Sequence, residues 1–580
     1  MQDVSDEAFE AEVEKAEKEP REMVNDSASL LRLLYLIAGA TLISLIFLKL
    51  QFATASVCCG DFDGYYHIRW SRLLWESIRQ GQFPPTFIWL PLTTLEPRSY
   101  VDHHLLFHIL QIPFTWFFEL RLAAKIAAVI FTSIAVFSCY CLIVRYRINY
   151  ALLWLVALLA CSAPFLYRLS MAKAPPLAII FTVIGIYLLF EKKYLWLAPL
   201  AFLFAWTYSL FVMLCAAAVI WSVVMAWSEH RFEWRPVVWT VVGTLAGFVI
   251  NPYFPRNIWL FIAHFKMKVT PLEFSTSVGT EWYPYESWYF LGSCFVAFAA
   301  MLVGYISFNW SDKRASARPL FFLAFSTLLM IASFRSRRFV EYWPPFAVLF
   351  AAFSFQAVLE RARSTLGQLP EEVLEELQPF LDHHSQPKTL DAVRQRERWK
   401  TAAATFIALV IGVILFFNIR ETINSIKQDH GPDHYRRGME WVRQNVPPGQ
   451  PVFNTDWDDF PKMFFYDTTH TYASGLDPTY LLYRNSELSK LYEDITLGRE
   501  KDPGPLIRER FGARYVFSDN EEVHNDFYFN ALQSGWFERV YEDEECTVLY
   551  IRDQKGTPPP EAKEDETDEG VEIPPEDSEK

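Results

Sequence analysis

The sequence predicts a polytopic α-helical membrane protein of about eleven spans, followed by a C-terminal extracytoplasmic α/β domain. Three observations carry this. Hydrophobic residues make up 52% of the 580 and collect in the middle of the chain. There they form runs of about twenty, the length of helix that crosses a bilayer. Basic residues close alternate runs, as cytoplasmic loops require. After residue 420 the apolar runs give way to amphipathic and short alternating segments.

Residues 1–28 are an acidic cytoplasmic tail, and Leu30–Leu50 is the first membrane helix. Trp70–Gln82 alternates charged and apolar residues at helical spacing, so it lies along the interface until Pro84 and Pro85 end it. Val101–Phe118 is a second interfacial helix. Arg121–Val144 runs inward to Arg145 and Arg147, Tyr150–Tyr167 returns, and Pro176–Phe190 leads back to Lys192 and Lys193. Tyr194–Trp227 is a helical hairpin ending at Arg231 and Arg235. Val237–Ile250 goes out, Trp288–Phe308 in, Leu320–Ser333 out and Val340–Leu359 in. A charged cytoplasmic linker fills 360–400, and Thr401–Phe417 is the last span. The membrane domain thus covers 29–418, with external loops at 51–120, 252–286 and 334–339.

Residues 419–553 read as the soluble domain, with a helix at His434–Asn445 and strands at Pro451–Phe453, Arg514–Ser518 and Cys546–Ile551. The Pro/Glu/Asp-rich tail 554–580 cannot bury enough apolar surface to fold. A net charge of −14, held mostly at the ends, argues against nucleic acid as a partner. The eight cysteines lack metal spacing, and the vicinal Cys58–Cys59 reads as packing or occasional oxidation.

Candidate chemistry starts where the first span ends, at G-D-F-D-G-Y-Y-H-I-R (Gly60–Arg69). Asp61 and Asp63 form a D-x-D pair whose oxygens suit Mg²⁺ or Mn²⁺. The same letters also make an acidic turn ahead of a helix. Asp102 opens V-D-H-H-L-L-F-H, where His103 and His104 offer metal ligation or a proton shuttle, or a polar helix start. Arg335, Arg337 and Arg338 fall outside, against the positive-inside rule. Either one of them binds an anionic lipid phosphate or they snorkel at the interface.

D-G-Y-Y-H-I-R resembles the D-x-(W/Y)-(Y/F)-(H/N)-x-R segment of oligosaccharyltransferase catalytic subunits, members of the GT-C superfamily of polyprenol-dependent glycosyltransferases. R-R-F-V-E-Y-W-P-P-F resembles that superfamily's external arginine segment. The resemblance implies that Asp63 is a metal-binding, catalytic aspartate, with Asp61 or Asp102 assisting and His103 near. It places Arg338 best for donor phosphate, ahead of Arg337 and Arg335. Where oligosaccharyltransferases carry a second acidic motif, this chain reads R-L-S-M-A-K-A-P-P-L, with Lys173 in reach of donor phosphate and no carboxylate. T-S-V-G-T-E-W is similar to the loop whose glutamate enters the active site, making Glu281 the counterpart and Glu273 a substitute. D-W-D-D-F (Asp456–Phe460) resembles the signature that reads an acceptor, through Trp457 and Asp458, though a turn before a helix uses the same residues.

The function so implied is metal-assisted transfer of a sugar or glycan from a polyprenyl-(di)phosphate to a glycan, lipid or protein acceptor. It takes place at the external face of a bacterial inner membrane. A non-catalytic lipid-linked glycan transporter and a polysaccharide polymerase or ligase are the alternatives.

Overall fold

A computed structural model describes residues 30–57, 59, 62–269, 279–314, 316–367, 386–428 and 430–557. Among them, five helices are long and apolar enough to cross a membrane: Leu30–Gln51, Leu120–Arg145, Ser209–Glu229, Ala317–Arg335 and Ala402–Lys427. Two bent pairs raise the number to seven, and four further apolar helices are shorter. Length and composition among the described residues therefore support five to seven of the eleven spans.

The bends are departures from the straight spans expected over Tyr150–Tyr167 and Trp288–Phe308. Ala151–Leu159 and Ala163–Leu169 meet at 76°, and Ser287–Ser293 and Phe295–Ser307 at 75°. At the first bend Ser162 accepts from the Phe165 N–H, and Pro164 occupies the first turn, where its missing N–H costs nothing. The bend turns Arg168 into the protein. Elsewhere the helices pack at backbone distance: a Cβ on Gly243 would lie 2.0 Å from the Ala198 carbonyl oxygen. Only glycine lets Arg235–Val249 lie against Leu197–Thr207 this closely. The last helix is continuous over Gln386–Lys427, so the end of the expected 360–400 linker is already helical.

D-G-Y-Y-H-I-R is not a loop. It forms the first two turns of the helix Asp63–Arg79, which begins earlier than the interfacial segment expected from Trp70. The second interfacial segment forms Leu105–Gln111 and Phe114–Phe117. Cys59 is buried and disulfide-bonded.

The C-terminal domain holds β1 (Pro451–Asn454), β2 (Thr471–Tyr472), β3 (Tyr515–Asp519), β4 (Phe537–Glu542) and β5 (Cys546–Ile551). The order is β2-β1-β3-β5-β4, with β1 parallel to β2 and β3, and β5 antiparallel to β3 and β4. β1, β3 and β5 answer to the expected strands. β2 has two residues and β4 is largely exposed, so neither carries an apolar run.

This domain shares its core with the Asp63–Arg79 helix and the 87–101 segment. Tyr66, Trp70, Phe87, Trp89 and Tyr100 pack in one cluster with Met439, Phe460, Phe464 and Phe517. The backbone joins them too: Tyr472 N–H donates to Trp89 O at 2.8 Å, and Thr94 N–H to Tyr480 O at 3.1 Å. Phe464 is fully buried and its ring contacts Tyr66, Phe87 and Trp89. Phe464→Ala should therefore cost about 3–5 kcal/mol through lost burial plus the cavity left behind. The check is a thermal melt; an unshifted melting temperature would mean that the docked core contributes little.

Candidate active site

A cavity of about 670 Å³ lies where these layers meet. Its walls come from the Asp63–Arg79 helix, the 95–104 segment, the helix junctions at Lys173 and Tyr208, the Glu281 loop, the end of Ala317–Arg335, and Leu476–Tyr480 of the C-terminal domain. Asp63, Asp102, His103, Lys173, Glu281, Arg335 and Arg338 all line it, so the fold gathers these sequence candidates from five separate stretches.

Asp63 is the first residue of its helix, and its Oδ2 lies 2.9 Å from Lys173 Nζ. Lys173 sits just before the helix Pro175–Phe190, whose opening prolines fix that junction. Arg338 belongs to the short 3₁₀ helix Arg337–Glu341, where Ser336 Oγ accepts its backbone N–H. Its Nη1 donates to Glu281 Oε1 at 2.5 Å, while Nε and Nη2 donate to Tyr208 Oη at 3.2 and 2.6 Å. The Trp282 ring lies 4.9 Å from the guanidinium.

Glu281 also accepts from Arg168 Nη2 at 2.7 Å, and Arg168 Nε donates to Glu341 Oε1 at 2.8 Å. Charges alternate along Glu341–Arg168–Glu281–Arg338, which offsets the cost of holding each away from water. Burial pushes the Glu281 carboxyl up, but Arg338, Lys173 and Arg168 together hold it well below the usual range. It stays ionised and fixes Arg338 at the cavity wall.

The three arginines separate. Arg338 faces the cavity, and Arg335 lines it as an exposed helix terminus. Arg337 points elsewhere, donating to Pro284 O at 3.2 Å with its guanidinium 5.1 Å from the Tyr285 ring.

Asp102 is 3% exposed and both its oxygens are occupied. Oδ2 accepts from Trp70 Nε1 at 2.9 Å and from His108 Nδ1 at 2.8 Å, and Oδ1 accepts from the His104 N–H at 3.0 Å. Burial raises this carboxyl, yet His108 and Trp70 outweigh it, and the group lies below its ordinary value. His103 is pushed down to about 4 by burial, and His104, stacked on Tyr208, is lowered as well. Both are neutral at physiological pH.

Asp63, Asp102 and His103 do not bring ligand atoms within 4.8 Å of one another. Asp63 pairs with the Lys173 ammonium, and both Asp102 oxygens accept hydrogen bonds, from Trp70 and His108 on one and from the His104 N–H on the other. Asp61 and Glu273 lie outside the described residues. The acidic-histidine group that does converge, among the described residues, is Asp456, Asp519 and His524 in the C-terminal domain.

Trp457 and Asp458 do not line the cavity. The Asp458 N–H donates to Asp456 Oδ1 at 2.8 Å, and Asp459 precedes the helix Phe460–Tyr466, so D-W-D-D-F forms a turn before a helix. Trp457 nonetheless lies against the Glu281 loop, 3.8 Å from where a Gly279 Cβ would stand.

Sequence reasoning missed Tyr208, Arg168, Glu341, His67 and His108. Arg168 and Glu341 carried a usable signal, since a charge beside apolar membrane segments is a functional candidate by default. Tyr208 carried none.

No family model matches the chain, and no curated protein does. Solved structures match. The apo oligosaccharyltransferase of Archaeoglobus fulgidus aligns at TM-score 0.57 and 12% identity over 90% of this chain and 75% of that one. ArnT of Cupriavidus metallidurans, bound to undecaprenyl phosphate, aligns at 0.51 and 14% over 91% and 99%. Its apo form aligns at 0.52 and 13% over 90% and 98%. The chain thus shares the fold of the GT-C glycosyltransferases, to which both proteins belong.

Proposed function

We propose that this protein is an integral membrane glycosyltransferase that moves a sugar or glycan from a polyprenyl-(di)phosphate donor to an acceptor at the extracytoplasmic face of the inner membrane. The observation that supports it most is the grouping of Lys173, Arg338 and Asp63 around one cavity, on a fold whose relative ArnT was solved with undecaprenyl phosphate. Transfer breaks the bond between the anomeric carbon and a phosphate oxygen and leaves the electron pair on phosphate. Groups aimed at that growing charge lower the barrier. Arg338 is held by Glu281 and Tyr208 with guanidinium donors still unused, and Lys173 adds a second positive charge. In this reading Lys173 supplies charge that Mg²⁺ or Mn²⁺ would otherwise bring to Asp63.

The test is reconstitution of the full chain in liposomes with an undecaprenyl-phosphate-linked sugar. Formation of a new glycosidic bond supports the reading. Movement of the lipid between leaflets without bond formation would support a transporter instead. The reading also requires the cavity to face outward. Reporter fusions at positions 375 and 430 should report cytoplasmic and external locations respectively, and position 430 inside would overturn the external site.

A further inference from the structure

We infer that His67 is the base that takes the acceptor's proton, with His108 and Asp102 positioning it; the inference rests on the transferase reading above. His108 Nε2 and His67 Nδ1 are 2.8 Å apart, continuing the chain that begins at Asp102. The three side chains come from two elements, Asp63–Arg79 and the 102–111 stretch. All are buried, at 3% for Asp102, 1% for His108 and 5% for His67.

The carboxylate sets the tautomers along this chain. An ionised carboxylate only accepts, so His108 carries its proton on Nδ1. Its Nε2 is then a lone pair that can only accept, which places the His67 proton on Nδ1. His67 Nε2 is left with a lone pair, and His67 lines the cavity one helical turn after Asp63. Burial first of all, with the nearby Lys173 ammonium adding to it, holds His67 well below its ordinary value, so it is neutral and able to accept. The rings of His104, Tyr66 and Phe107 complete its surroundings.

The step balances for a hydroxyl acceptor. The acceptor O–H bond breaks and its proton goes to His67 Nε2. The oxygen forms the bond to the anomeric carbon, and the bond from that carbon to the phosphate oxygen breaks with its electron pair left on phosphate. The imidazolium so formed hydrogen-bonds through His108 to the Asp102 carboxylate, which stabilises the positive charge. Release of that proton to water or to the leaving phosphate restores the base.

The experiment uses the full chain in liposomes with the undecaprenyl-phosphate-linked sugar that the wild type turns over. His67→Ala should lower kcat by about 10²–10⁴ with the donor KM little changed, and added imidazole should restore part of the rate. Asp102→Asn should lower kcat and move the acid limb of the pH–rate profile to lower pH, because the carboxylate that favours the imidazolium is gone. His67→Gln, which keeps a hydrogen-bonding side chain in the core, guards against a folding defect. The inference fails alone if the wild type transfers sugar and His67→Gln matches it. It also fails if His67→Ala is not rescued by imidazole and Asp102→Asn leaves the acid limb in place. A wild type that forms no glycosidic bond overturns the transferase reading, and this inference with it.

Discussion

Arg338→Ala is expected to cut sugar transfer by about 30- to 1,000-fold, a loss of about 2–4 kcal/mol of transition-state stabilisation. The guanidinium bonds to Glu281 and Tyr208, and Arg338 lines the cavity with donors left over for a phosphate. Charge-assisted bonds to phosphate are stronger than neutral ones. The fold should tolerate the change, because Glu281 keeps its bond from Arg168. Arg337→Ala is the control. It removes a contact to Pro284 and Tyr285 outside the cavity and should alter stability by about 0.5 kcal/mol or less. Transfer rates and melting temperatures of the two variants, with Arg335→Ala beside them, decide the matter. If Arg335→Ala abolishes transfer while Arg338→Ala does not, the wrong arginine has been chosen. Three silent variants would reduce the cluster to snorkelling.

Asp63→Asn should lower transfer by at least about 100-fold while changing stability by about 1 kcal/mol or less. Its ion pair with Lys173 is partly exposed, at 28% and 12%, so solvent screening keeps the structural effect small. Asparagine serves a helix start almost as well as aspartate, so a purely structural Asp63 would survive the swap. Lys173→Ala separates the two sources of positive charge. If Lys173 supplies it, the wild type works in a chelator and Lys173→Ala is impaired whether or not Mn²⁺ is added. A wild type silenced by chelation and restored by Mn²⁺ would return the charge to a metal held at Asp63, with Asp61 the first residue to test.

Much of the membrane architecture was legible because hydrocarbon demands long apolar runs, and such runs stand out in a sequence. Their direction was not. Nothing in an apolar run announces the turns at Ser162 and Cys294, which depend on a cap and on neighbouring helices. Asp63 and Arg338 stood out in short strings that resemble family motifs, and Lys173 in a stretch that departs from one. The alternation Glu341–Arg168–Glu281–Arg338 could not be found, since its members stand up to 173 residues apart and only the fold pairs them. His67 lay inside the quoted motif, yet its partner His108 is 41 residues away and only the fold shows the bond between them. Asp102 was singled out for a metal. The fold shows its hydrogen bonds to Trp70, His104 and His108, which the sequence could not.

The core that the C-terminal domain shares with the Asp63–Arg79 helix and the 87–101 segment has a consequence in the order of synthesis. Leu476, Asp477 and Tyr480 close the cavity, and they leave the ribosome after every membrane helix. Until they arrive, the aromatic face of Phe87 and Trp89 has no partner from Phe464, and Lys173 and Arg338 stand in an open cleft. A chain halted before residue 476 therefore has its charged residues in place but no closed chamber around them. The walls of the cavity are therefore complete only once the C-terminal domain has been made.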